Sequence, residues 1–165
     1  MDEIISGIVT ILLIVYMAIT GPILNTFQFA DKAADNYVNR VTNSFQKEVR
    51  NNGYVDLNTY LKFRMALLNT KKDYDVVMIC ERKDAFPESD NNYENYFVEN
   101  TNQQILKTIE NKKRYEMNYG DNFTVTVKEK GLSNYKLLNM ILYKTNNPQS
   151  KYIFAKYGGM VQNEE

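Results

Sequence analysis

Between Ile4 and Ala30 the chain carries no charged side chain, and from Asp31 onward it is polar and tyrosine-rich. A bilayer's hydrocarbon core, about 30 Å thick, is crossed by roughly 20 helical residues. Ile4 to Leu24 supplies that length, mostly in Ile, Leu, Val and Met, and no ionisable group has to enter the hydrocarbon. The pattern predicts one uncleaved membrane-spanning helix followed by a water-facing region of about 135 residues, large enough for one modest core. A removed secretory signal is the competing reading. Such a signal opens on a basic tail and closes, after a short apolar run, on a small-residue cleavage site. Here the first residues, Met1-Asp2-Glu3, are acidic, the run is longer, and Ala18-Ile19-Thr20 is a poor cleavage site.

The helix is expected to continue past the membrane. Phe27, Ala30, Ala34, Val38, Val41, Phe45 and Val49 recur at spacings of three and four, which places them on one helical face. Asn36, Asn39, Arg40, Asn43, Lys47 and Arg50 occupy the rest, with Glu48 at the stripe's edge. Neither Gly nor Pro intervenes between Leu24 and Asn52. One helix from about Asp2 to Asn51 is predicted, closed by a left-handed cap at Gly53. Gly21-Pro22 lies inside it. Pro22 has no N–H for the Ala18 carbonyl, so a kink or local melt is expected there. It is either an ordinary membrane-helix proline or a joint used when the helix packs among copies of itself.

Beyond Gly53 the pattern turns to α/β. Asp56 can cap a helix over residues 57–69 whose apolar face would hold Leu57, Leu61, Met65 and Leu68. Tyr74 to Cys80 reads as a buried strand, Glu81 to Asn92 as a loop, and Tyr93 to Tyr115 as a helix with Phe97, Val98, Ile105 and Ile109 inward. Gly120-Asp121-Asn122 is a turn, and Phe123 to Lys128 alternates as a half-buried strand. Leu132 to Tyr143 reads as a short helix. Lys151 to Lys156 is a last strand, followed by Tyr157-Gly158-Gly159 and an acidic tail. The expected fold class is α+β: a transmembrane-plus-amphipathic stalk helix over residues 1–52, and a small α/β head with a mostly antiparallel sheet over residues 53–165.

Few residues suggest chemistry. The 20 basic and 20 acidic residues cancel, so no basic face for nucleic acid is evident. A single cysteine, Cys80, rules out an intramolecular disulfide, and the absence of histidine removes His-dependent triads, His metal ligands and the usual general base. Gly158-Gly159 stands alone rather than in a phosphate loop. Asp90, Asn92 and Glu94 share the opening rhythm of a calcium loop, but Asn95 and Thr101 replace its glycine and closing glutamate. Lys112-Lys113-Arg114 complements a helix dipole, Asn122-Phe123-Thr124 is a chance-frequent glycosylation triplet, and Cys80 reads as an inert core thiol. No catalytic, cofactor-binding or metal-ligating residue is expected, nor a small-molecule substrate. Asp2 and Glu3 precede the apolar run as interfacial carboxylates. If helices bundle, a carboxylate entering the apolar core must find a cation, for which a neighbouring subunit's amine would serve.

The acidic start, Pro22 within an apolar helix, the amphipathic continuation and the compact head resemble type IV pilin-like proteins. The head motifs narrow this to the small pilin-like proteins of tight-adherence (Tad) type systems in Gram-positive bacteria. They are Gly53-Tyr54-Val55-Asp56, Leu67-Leu68 before Asp73-Tyr74-Asp75-Val76, Tyr115-Glu116-Met117, Gly120-Asp121, Phe123-Thr124-Val125-Thr126-Val127 and Tyr157-Gly158-Gly159. The resemblance implies a non-enzymatic minor pilin or pseudopilin of a surface pilus or secretion filament. Its head would be extracellular, and its partners membrane lipid and other pilin-like subunits or copies of itself. It makes Glu3, Gly21, Pro22, Phe27, Val38, Val41 and Phe45 candidate assembly residues. Charge alone points the other way. Lys32 and Arg40 follow the span and no basic residue precedes it, which favours a head inside the cell. The alternative function is therefore a single-span membrane protein whose cytoplasmic head is an assembly or regulatory binding module.

Overall fold

The computed structural model describes residues 2–89, 92–144 and 154–162, with residues 2, 83–89, 92–98 and 143 described by their backbone alone. The fold is α+β, a long N-terminal helix followed by a small head with antiparallel sheets. Helix α1 (Asp2–Asn52) runs uninterrupted for 51 residues, about 75 Å at about 1.5 Å per residue. It stops at Gly53, whose φ of 73° forms the left-handed cap and whose N–H donates to the Val49 carbonyl at 2.9 Å. No local melt occurs at Pro22, which lies inside the continuous helix. Thr20 and Thr26 donate their hydroxyls to the carbonyls of Tyr16 and Pro22 at 2.8 and 2.9 Å, giving carbonyls on either side of the break a side-chain donor.

After α1 come β1 (Tyr54–Asp56), α2 (Leu57–Leu68), β2 (Tyr74–Ser89), β3 (Asn92–Asn100), α3 (Asn102–Lys112), β4 (Arg114–Glu116), β5 (Asn122–Glu129), α4 (Asn134–Tyr143) and β6 (Phe154–Met160). One sheet has the order β3-β2-β5-β6, and β1 pairs with β4 in a two-stranded ribbon. Among the described residues every pairing is antiparallel. The alternation of β5 is realised: Phe123, Val125 and Val127 are fully buried. They stand opposite Cys80, Met78 and Val76 of β2, which are buried on the same face. Asp56 caps α2 as its position predicts, accepting from the Thr59 N–H at 2.7 Å.

Four expectations are corrected. Residues 81–89 are not a loop: β2 continues past Glu81, its last residue paired with β5, as a ribbon with β3. Pro87 is tolerated there beside a register shift. Residues 93–115 are not one helix but β3, α3 and β4. The break comes at Thr101, whose N–H donates to the Gln104 side chain at 2.8 Å, while Asn102 Oδ1 accepts from the Met78 N–H at 3.1 Å. That side chain occupies the β2 edge just where β3 has left it, so the chain can turn into α3. Ile105 and Ile109 face inward as expected, whereas the side chains of Phe97 and Val98 lie outside the described residues.

Helix α2 presents a different face from the one its apolar stripe predicts. Phe63 and Leu67 are buried, while Leu61, Met65 and Leu68 are exposed. The deciding contact is Phe63 stacked on Phe45 of α1, with centroids 4.2 Å apart and planes within 4°. Finally, Tyr157-Gly158-Gly159 lies within the last strand rather than after it, and residues 151–153 are outside the described part. The glycines fit because a Cβ on Gly158 would stand 2.6 Å from Thr124 Oγ1, and one on Gly159 2.9 Å from the Arg50 guanidinium.

By internal packing the chain divides into two units, Met1–Ala34 with Leu132–Lys151, and Asp35–Gly131 with Tyr152–Glu165. The first contains the N-terminal part of α1 and all of α4. The second contains the remainder of α1, both sheets, α2 and α3.

Candidate functional site

The candidate site is α1 itself. Its N-terminal part presents an apolar surface that nothing among the described residues covers, with Ile4 exposed by 69% and Met17 by 68%. The segment is long and apolar enough to span a membrane, and a signal sequence near an N-terminus satisfies the same criteria. Glu3 is exposed, Gly21 is half-buried with open space around its Cα, and Pro22 is exposed. These three lie on the uncovered segment. Phe27 is half-buried farther along the same unit.

The later part of α1 belongs to the core of the second unit. Val38 and Val49 are fully buried and Phe45 nearly so. Thr42 and Gln46 are buried beside them, while Val41 is only half-buried. The buried face is therefore turned toward Thr42 and Gln46, a rotation that hydrophobic spacing alone did not register. Thr42 tolerates this burial because its hydroxyl donates to the Val38 carbonyl at 2.7 Å. Among the described residues, hydrogen bonds bind the helix to β6 and the segment just after it: Tyr157 Oη donates to Asn39 Oδ1 at 3.2 Å, Arg50 Nε to the Met160 carbonyl at 2.6 Å, and the Gln162 N–H to the Arg50 carbonyl at 3.0 Å. Val38 and Phe45 thus fix α1 to its own head, and Val41 lines a shallow groove of about 220 Å³ between α1 and α2 with Ser44, Thr59 and Ala66.

A polar cluster lies under the sheet. Asp121, almost fully buried, accepts from the Asn118 N–H at 2.9 Å and from the Arg82 guanidinium at 3.3 Å. Cys80 and Tyr115 are buried beside it. Burial pushes both the Cys80 thiol and the Tyr115 phenol above their ordinary values, so both keep their protons at neutral pH. A thiol in that state is a poor nucleophile, and the cluster serves to bind β2 to the turn before β5. Sequence reading missed it because Arg82 lay in a stretch read as loop and Asp121 in one read only as a turn. No group of three or more metal-ligating side chains occurs among the described residues, and Asp90 of the calcium-like rhythm lies outside them.

Lys112 ends α3, Lys113 adopts the left-handed cap at φ 63°, and the Arg114 guanidinium lies 4.1 Å from the centre of the Tyr54 ring. These are the roles of a helix terminus and a cation–π contact. Comparison with protein-family models, curated proteins and solved structures gave no match.

Proposed function

We propose that this chain is a non-enzymatic structural subunit, a pilin-like component of a surface pilus or secretion filament that assembles by lateral packing of α1. The observation that carries this reading is one unbroken helix whose first part is apolar and uncovered and whose last part is built into a small head. In a membrane, lipid covers the first part. In a filament, neighbouring helices must do so, driven by the removal of apolar surface from water. Four Ile or Leu side chains buried on a neighbour contribute roughly 6–12 kcal/mol, against an association cost of roughly 4–15 kcal/mol. One neighbour is marginal at those magnitudes, so a stable assembly encloses each helix on several sides.

Deletion of residues 1–30 tests the proposal. The truncated chain is expected in the soluble fraction and missing from sheared extracellular filaments that contain the full-length protein. Its recovery in those filaments overturns the reading. The alternative, a cytoplasmic head acting as an assembly or regulatory module, is favoured by Lys32 and Arg40 on the C-terminal side of the span. A membrane-impermeant maleimide separates the two in intact cells carrying Met65→Cys, since Met65 is exposed and Cys80 buried. Labelling from outside supports the filament subunit, and protection supports the cytoplasmic module.

A further inference from the structure

Helix α4 differs from an ordinary surface helix. Its one charged residue, Lys136, is 1% exposed, whereas Leu137 and Ile141 are exposed by 49% and 64%. Leu132, just before the Ser133 cap, is also exposed. Helix α3 shows the usual inverse: Ile105 and Ile109 are buried, and Gln103, Lys107, Glu110 and Lys112 face water. An uncharged apolar face on a helix of ten residues calls for a non-aqueous cover.

The position of α4 indicates which cover. It belongs to the same unit as the apolar part of α1, and the Ser133 hydroxyl, which caps it, donates to the Asp31 carboxylate at 2.5 Å. Asp31 is the first charged residue after the uncharged run. It follows Leu24 by about 10 Å of helix rise. The headgroup layer outside the hydrocarbon is about 5–8 Å thick on each side. The N-terminus of α4 is therefore held just past the outer edge of that layer, close enough for its apolar side chains to reach into it, and Phe29, exposed by 75%, lies on α1 just before the tether. We propose that α4 is an interfacial helix that lays Leu132, Leu137 and Ile141 into the lipid surface beside the emerging α1. The proposal rests on the membrane-span part of the reading above and is independent of filament assembly. Lipid is the occupant because α4 shares a unit with the apolar part of α1 and is tied to it at Asp31, beside the end of the uncharged run, and because an apolar face without charge suits the boundary between headgroups and acyl chains.

The chain contains no tryptophan, so Ile141→Trp introduces a single reporter at an exposed position. The full-length variant is reconstituted in phosphatidylcholine vesicles whose acyl chains are brominated either near the headgroup or near the tail. Its emission is expected to be blue-shifted and quenched about twofold more by shallow than by deep bromines, as for a helix inserted about 5–10 Å. Leu137→Trp should give the same order, and Ile14→Trp, within the span, the reverse. Emission of a water-exposed indole at residues 137 and 141 overturns the proposal. So does a blue shift that no brominated lipid quenches, which would mean that a second copy covers the face. If Ile14→Trp also escapes the bromines, the span fails and α4's membrane role fails with it. If only the α4 reporters escape, the span stands and α4 alone is refuted.

Discussion

Phe45 and Asp56 decide more of the fold than their neighbours. Phe45 is 3% exposed and stacks on Phe63, joining α1 to α2. Phe45→Ala should lower the stability of the full-length protein in detergent micelles by about 3–5 kcal/mol, read by chemical denaturation, whereas Leu61→Ala on the exposed side of α2 should change it by about 0.5 kcal/mol or less. Asp56 supplies the α2 cap, and its pKa is lowered chiefly by the side-chain hydrogen bond with Thr59, with smaller help from the Arg114 and Lys62 charges. A carboxyl whose folded pKa is depressed binds fewer protons folded than unfolded. Its contribution is thus complete above the unfolded value, 3.8, and is lost as pH falls below that value through the lower folded one. Asp56→Asn keeps a capping oxygen and removes the titration. Its stability should fall slightly below the wild type at pH 7, by the part that the charge supplies, and decline less below pH 4, as a denaturation series across that range would show. Asp56→Ala should lose about 0.5–2 kcal/mol at neutral pH.

Elements were legible where a single local signal decides them. Uncharged length and the cap at Gly53 delimit α1, the acid at position 56 opens α2, and strict alternation marks β5. The misread elements depend on distant partners. Residues 81–89 become strand because β3 returns alongside them, and Phe63 turns inward because Phe45 waits across the groove. The sequence does hold one local sign of the break: Thr101 and Gln104 have the spacing of a capping box, a helix start signal in the middle of residues 93–115. Within α1, Pro22→Ala would restore the N–H that the Ala18 carbonyl lacks. Amide exchange across residues 18–26 should slow in that variant in lipid. Unchanged exchange would mean that the flanking threonine hydroxyls already steady the helix there.

At the scale of the whole molecule, the uncovered N-terminal surface of α1 could be read from composition, but the association of α4 with it could not. Residues 132–143 carry an apolar pattern that reads simply as a short helix. The internal packing and the Asp31–Ser133 hydrogen bond, spanning 102 positions of sequence, show which part of the chain that helix accompanies. The Arg82–Asp121 pair was hidden for the same reason, since charge pairing between residues 39 positions apart leaves no local trace. Near the other end, Arg50 grips the Met160 carbonyl while its own carbonyl receives Gln162. The last turn of the long helix and the final strand are thereby riveted at one place. Any opening that frees the last turn of α1 from this end of the chain must break both bonds at once, so fraying at one of the two termini is restrained by the other.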